Sequence, residues 1–203
     1  MRNKAGIACM LLGAALVAAA LLLFFGNRSE ASEAAAASEA VLPQVEAAIA
    51  ERTGGAGEAE APAALPDPYD PEMTVVEIDG YGYVGYLSIP SLGLELPVMA
   101  DWDYTRLRIA PCRYAGSTRT DDLVIAAHNY ARHFGALQSL RPGDAVWFTD
   151  MDGVVTAYAV AVVEMLQPTA VEEMTAGEYD LTLFTCTYGG QSRVTVRCDR
   201  VEE

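Results

Sequence analysis

Leu181-Thr182-Leu183-Phe184-Thr185-Cys186 is a β-prone run that ends on a cysteine. Six residues, Thr187-Tyr188-Gly189-Gly190-Gln191-Ser192, separate it from a second such run, Arg193-Val194-Thr195-Val196-Arg197-Cys198. Two apolar runs joined by a short Gly-containing segment predict an antiparallel hairpin. Its simplest register sets Arg193 opposite Cys186, where facing Cβ atoms lie about 5 Å apart. Arg197 then faces Thr182, ~13 Å further along the strand at about 3.3 Å per residue. Alternation puts Arg193, Thr195 and Arg197 on one face and Val194, Val196 and Cys198 on the other, so Cys198 reads as a core thiol.

Runs of the same texture recur upstream at residues 84–89, 94–99, 123–128, 145–149 and 154–166, separated by Gly, Pro and Asp. Seven or eight short strands with regular turn signals predict an all-β barrel or sandwich. Helical spacing is local, at 131–140 and 171–174. Residues 73–203 are of a size that folds as one domain with its own core.

The chemistry collects at strand ends. His128 closes the run Leu123-Val124-Ile125-Ala126-Ala127-His128-Asn129 and is one of only two histidines; the other, His133, reads as a solvated residue of a surface helix. A thiol, an imidazole and a guanidinium at the ends of apolar strands are the parts of cysteine-based acyl transfer. A non-catalytic envelope protein with a structural or redox thiol is the competing class, although no CxxC pair is present. A metal site is disfavoured because the histidines and cysteines lack ligand spacing, and no cofactor is expected. Cys112 follows no strong pattern, and a Cys112–Cys198 disulfide would require a Cα separation that sequence does not supply.

The N-terminus adds an address. Met1-Arg2-Asn3-Lys4 is basic, and residues 6–26 carry no charge and are rich in Leu, Ala, Val and Phe. Twenty-one such residues span a bilayer as a helix; a cleaved signal peptide is the competing reading, but its apolar region is shorter. Arg2 and Lys4 place the N-terminus inside, leaving the remainder extracytoplasmic. Residues 27–72, rich in Ala, Glu, Ser and Pro, read as a stalk, in which the spacing of Val41, Val45, Ala48 and Ile49 allows a short helix over 41–52 packed on the domain. With Cys9 in the span, three cysteines lie outside, an odd number that leaves one thiol unpaired. Net charge is −15, and residues 73–203 hold 18 acidic residues against 9 arginines and no lysine, which disfavours a nucleic-acid partner.

Thr182-Leu183-Phe184-Thr185-Cys186 matches the TLxTC signature of sortases, membrane-anchored cysteine transpeptidases of Gram-positive cell surfaces. Tyr83-Val84-Gly85-Tyr86-Leu87-Ser88-Ile89-Pro90 with Leu94-Glu95-Leu96-Pro97-Val98 resembles the opening strands of the sortase barrel, and Val124-Ile125-Ala126-Ala127-His128-Asn129 its histidine segment. Phe134-Gly135-Ala136-Leu137 and Gly143-Asp144 also fit, so the resemblance covers residues 74–201. It implies a mostly-β, single eight-stranded β-barrel with short helices behind an N-terminal transmembrane helix. It also implies that Cys186 attacks an LPxTG-like sorting signal to give a thioester, that His128 is the general acid and base, and that Arg193 is the oxyanion partner. The partners implied are surface proteins or pilins carrying the signal, and an amine acceptor from a peptidoglycan precursor or a pilin lysine. A cysteine hydrolase on the same barrel is the alternative enzyme. Thr185, Asn129 and Tyr188 are candidates to contact substrate, and residues 166–179 to choose it. His128-Asn129 and Phe134-Gly135 lean towards class B sortases, whereas the turn after Cys186 is nearer the pilin-polymerising or housekeeping-like groups. Asp67-Pro68-Tyr69 resembles the lid tripeptide of pilin sortases; a proline-rich linker is the competing reading.

Overall fold

Alternating apolar residues can be buried on both sides only if the sheet has an inside and a covered outside, and this chain provides both. The computed structural model describes residues 2–54 and 72–201. Helix α1 (Arg2–Gly54) precedes strands β1 (Val76–Ile78), β2 (Tyr81–Ile89), β3 (Leu94–Met99), β4 (Cys112–Ala115) and β5 (Leu123–Ala126). Strands β6 (Ala145–Asp150) and β7 (Val155–Leu166), helix α2 (Val171–Met174), and strands β8 (Leu181–Cys186) and β9 (Arg193–Arg200) follow. The sheet order is β1-β2-β3-β4-β5-β8-β9-β7-β6, and β2 also pairs with β6, closing strands β2 to β9 into an eight-stranded ring with β1 outside it. The barrel expected from the sequence is therefore the fold.

Closure depends on one glycine. Gly85 of β2 pairs with Val98 of β3 and with Asp150 of β6. It adopts φ +146°, and a Cβ there would stand 2.0 Å from the Thr149 carbonyl oxygen. A side chain would hold the two strands apart at the seam.

Two apolar layers result. Leu123, Ile125, Leu181, Leu183, Val194, Val196 and Cys198 fill the interior with Val84, Leu87 and Phe148. Val124, Ala126, Phe184 and Cys112 point outward into a second layer with Tyr83, Met99 and Met151. Cys198 is the core thiol that alternation predicts. Cys112 lies in the other layer, both thiols are free, and burial pushes each up to about 12. Strand β4, which the sequence reading did not find, is short and carries an irregularity between Arg113 and Ala115 that erases its alternation.

Residues 27–54 are helical throughout, and the packed helix expected over 41–52 is the end of this longer one. They continue α1 and turn a stripe onto the outer layer: Ala34, Ser38, Val45 and Ile49 are buried at helical spacing, with Val41 and Ala48 packed beside them. Small residues at its start bring the helix backbone close to the barrel. At its end Arg52 bonds Asp152 at 3.0 Å, and the same carboxylate receives Arg119 at 3.0 Å and Thr74 Oγ1 at 2.7 Å. One aspartate in the β6–β7 turn thus ties α1, the approach to β1 and the β4–β5 connection.

Candidate active site

Strand β8 lies between β5, its parallel neighbour, and β9, its antiparallel neighbour. In the hairpin Cys186 pairs with Arg193 and Thr182 with Arg197, the register that the sequence predicts. On the other side Ala126 pairs with Phe184, and the bond from Ala127 N to Phe184 O, 3.2 Å, carries the register onward. The pairing ends at Ala126, and the same register continued two residues along each chain would bring His128 level with Cys186. Adjacent strands lie about 4.8 Å apart, so Arg193 flanks the thiol from β9, and the segment leaving β5 would carry the imidazole to its other side. Parity puts all three on the outer face, since Val124, Ala126 and Phe184 point there. Each of the three is part-exposed.

The chain beyond His128 is curled back. Phe134 N donates to His128 O at 3.1 Å, and Gly135 N to Tyr130 O at 3.0 Å. Phe134 and Leu137 plug the barrel interior. A Cβ on Gly135 would meet the carbonyls of Asn129 and Tyr130 at 2.7 Å, so the turn requires glycine there. The His128 ring stacks on Tyr130, with centroids 4.9 Å apart. Burial, then the Arg108 cation, lower the His128 pKa below its ordinary value, while Glu30 of α1 acts in the opposite sense.

His133 corrects the sequence reading: it is buried, not solvated. Ser38 of α1 donates to Ile109 O at 2.7 Å and meets His133 Nε2 at 3.1 Å, so the ring donates from Nε2 to the hydroxyl. Its Nδ1 has no partner among the described residues, and burial pushes the imidazole down to about 4. Its cover comes from a segment 95 residues away, which no local pattern announces.

The remaining candidates are dispersed. Thr185 turns away from Cys186 and donates to Ala127 O at 2.8 Å while buried, clipping β8 to the end of β5. Asn129 is part-exposed beside His128, and Tyr188 is 90% exposed in the β8–β9 turn. Arg193 leans over that turn, with Nη1 3.4 Å from the carbonyls of Gly190 and Ser192. Asp67 and Tyr69 lie outside the described residues. An open groove of about 550 Å³ runs along β4, lined by Trp102, Arg113, Tyr114 and Glu72 among others. Its aromatics lead towards the thiol: Trp102 stacks on Tyr114 at 5.1 Å, and Tyr114 meets Phe184 edge-on at 5.2 Å.

Sequence reasoning assigned Arg197 no role beyond its register. It is 6% exposed, yet it fastens the β7–β8 connection to the barrel. Its donors reach Glu164 Oε1 at 2.9 Å, Thr182 Oγ1 at 3.0 Å, Met174 O at 3.1 Å and Glu173 O at 2.7 Å, and its guanidinium stacks 5.6 Å from the Tyr179 ring centre. Met174, held in this way, packs into the outer layer. Arg197→Met strands two carbonyls and a carboxylate. It should lower stability by about 3 kcal/mol and speed amide hydrogen exchange across 167–180 more than across β8, read by mass spectrometry; uniform exchange would place the anchor elsewhere.

With this geometry in hand, the likenesses to known proteins are informative. No curated protein matches the chain. Among solved structures, sortase C1 of Streptococcus suis is 28% identical over 60% of this chain and 74% of its own, with TM-score 0.52. Sortase C1 of Streptococcus agalactiae is 27% identical over 63% and 72%, with TM-score 0.54. A sortase C of Streptococcus pneumoniae, described for its pilin substrate specificity, is 22% identical over 80% and 97%, with TM-score 0.56. The leaning towards class B has no support in these structures, which are of sortase C. The Sortase domain family matches residues 87–201, more than half of the chain, and the protein belongs to the sortase family.

Proposed function

We propose that this sortase is a transpeptidase with Cys186 as nucleophile, His128 as general acid and base, and Arg193 as oxyanion partner. The reading is supported by the pairing of Cys186 with Arg193 and by the parallel β5–β8 register, which, continued past Ala126, directs His128 to the same place. In the first step the Cys186 proton passes to His128 as sulfur attacks the scissile carbonyl, and the C–N bond breaks as His128 returns that proton to the leaving amine. The product is a thioester. An incoming amine then attacks it, His128 takes the amine proton, and Cys186 regains it on departure. Arg193, on a rigid strand beside the sulfur, supplies donors to the tetrahedral oxygen.

The substrate is an LPxTG-like sorting signal and the acceptor a peptidoglycan-precursor amine or a pilin lysine. The groove lined by Trp102 and Tyr114, whose Tyr114 ring meets Phe184 of β8, is the candidate seat for an extended peptide. The β7–β8 connection borders the same face and would choose among motifs. Glu72, which lines the groove three residues after Tyr69, supports Asp67 and Tyr69 as a lid. In the cell, α1 anchors the protein with its N-terminus inside and the barrel outside.

Intact-mass spectrometry of the chain with a panel of LPxTG-like peptides tests this directly. The expected result is an acyl adduct on Cys186 that passes to an added amine and is absent in Cys186→Ala. Release to water alone would make it a hydrolase, and turnover surviving in Cys186→Ala would remove the mechanism.

The pH profile offers a second check. His128 must be neutral to take the thiol proton, so kcat/KM rises with pH through its pKa. Because that pKa is lowered, the acid limb should fall below the ordinary 6.5. Arg108→Gln removes a cation that opposes protonation, so the limb should move to higher pH; an unmoved limb would show that Arg108 does not act on the base.

A further inference from the structure

Helix α1 is continuous from Arg2 to Gly54, yet its two parts have different neighbours. None of its apolar membrane-length window is buried against the barrel. Twenty-one residues, 6–26, rise ~31 Å as a helix and match the ~30 Å bilayer core. Docking begins at once afterwards, with Ala31 part-covered and Ala34 buried. Only Asn27-Arg28-Ser29-Glu30 intervenes, about one helical turn and ~6 Å. Ser29 Oγ donates to Glu33 Oε1 at 3.0 Å and braces that turn. Pro43, the residue that weakens the helix by deleting a bond to Glu39 O, falls inside the docked part, where the barrel splints it.

The order of contacts along α1 gives the barrel a direction. Glu30 comes first and acts electrostatically on both His128 and Tyr130. Ser38 then reaches His133 and Ile109, Gln44 reaches Asp79 at 3.2 Å, and Arg52 ends on Asp152. The end of the barrel that bears His128 and Cys186 is therefore the end next to the apolar segment, and the β6–β7 turn is the far end.

We infer that α1 is a rigid strut that holds the catalytic cleft at the membrane surface, within about two helical turns, ~10 Å, of the end of the span. That height sets the reach for any substrate held in the bilayer by its own span, since an extended chain covers about 3.3 Å per residue. This rests on the anchored-transpeptidase reading above.

The test inserts Ala-Glu-Ala-Ala-Lys-Ala-Ala between Ser29 and Glu30 of the full chain in liposomes. Seven helical residues raise the barrel ~10 Å and leave its facing changed by only about 20°. Two substrates carry one motif: a soluble peptide, and a membrane-anchored peptide with three residues between motif and span. The soluble peptide should turn over as before, while the anchored one should fall at least tenfold and recover when its spacer gains three or four residues. Equal turnover of both by the insertion variant would overturn the strut.

A readout without turnover separates this from failure of the enzymatic reading. A dye on Arg132→Cys, in a Cys9→Ser, Cys186→Ala background, should be quenched by a headgroup-labelled lipid in the chain of native length and much less after the insertion. Equal quenching in the two chains would overturn the inference whatever the activity.

Discussion

Parallel pairing of β5 with β8 is the constraint on which the proposed site depends, because that register, continued past Ala126, directs His128 towards a cysteine 58 residues later in the chain. Side chains alternate along a strand, so a slip of one residue would turn His128 into the barrel and leave Cys186 without an imidazole. Several features oppose that slip. Leu123, Ile125, Leu181 and Leu183 must all face inward, Thr185 clips β8 to the end of β5, and the Phe134-Gly135 turn holds the His128 carbonyl. On the other side the hairpin fixes Arg193 by its short connection. The proposed catalytic geometry follows from sheet register, with the side chains placed by the strands that bear or lead to them.

The outer face that carries the site is an apolar surface needing cover, and the chain covers most of it from three directions. Helix α1 lies over one part and the connection pinned by Arg197 over another, while the aromatics Trp102 and Tyr114 line the groove that stays open. The burial that stabilises the barrel therefore also shapes the cleft. His128 is drawn into the same arrangement, since its protonation responds to Arg108 from one element and Glu30 from another.

Legibility in the sequence followed the range of the interactions. The β8–β9 register could be read because strand periodicity and a six-residue connection determine it locally. Cys198 could be placed in the core by the same alternation. Strand β4 was hidden by its irregularity, and its Cys112 by the lack of any pattern around it. The docking of α1 could be read over 41–52 from Val41, Val45, Ala48 and Ile49, but not before it, because Ala31, Ala34 and Ser38 carry too little apolar bulk to mark a stripe; their use is close approach, which only the partner surface reveals. His133 was misread for that reason, its environment being supplied by Ser38. Arg197 was known by position, but its partners come from three separate segments. Its role as a fastener is a property of the assembled fold.

Disulfide trapping measures the central juxtaposition most directly. Neighbouring strands at about 4.8 Å fall within the Cα separation a disulfide accepts, 4.4 to 6.8 Å. Mild oxidation of His128→Cys should link residue 128 to Cys186 within one chain, seen as a loss of two mass units and a cross-linked peptide, with Cys112 and Cys198 still reduced. A chain in which residue 128 stays reduced, or pairs only between molecules, would contradict the register from which the site has been built.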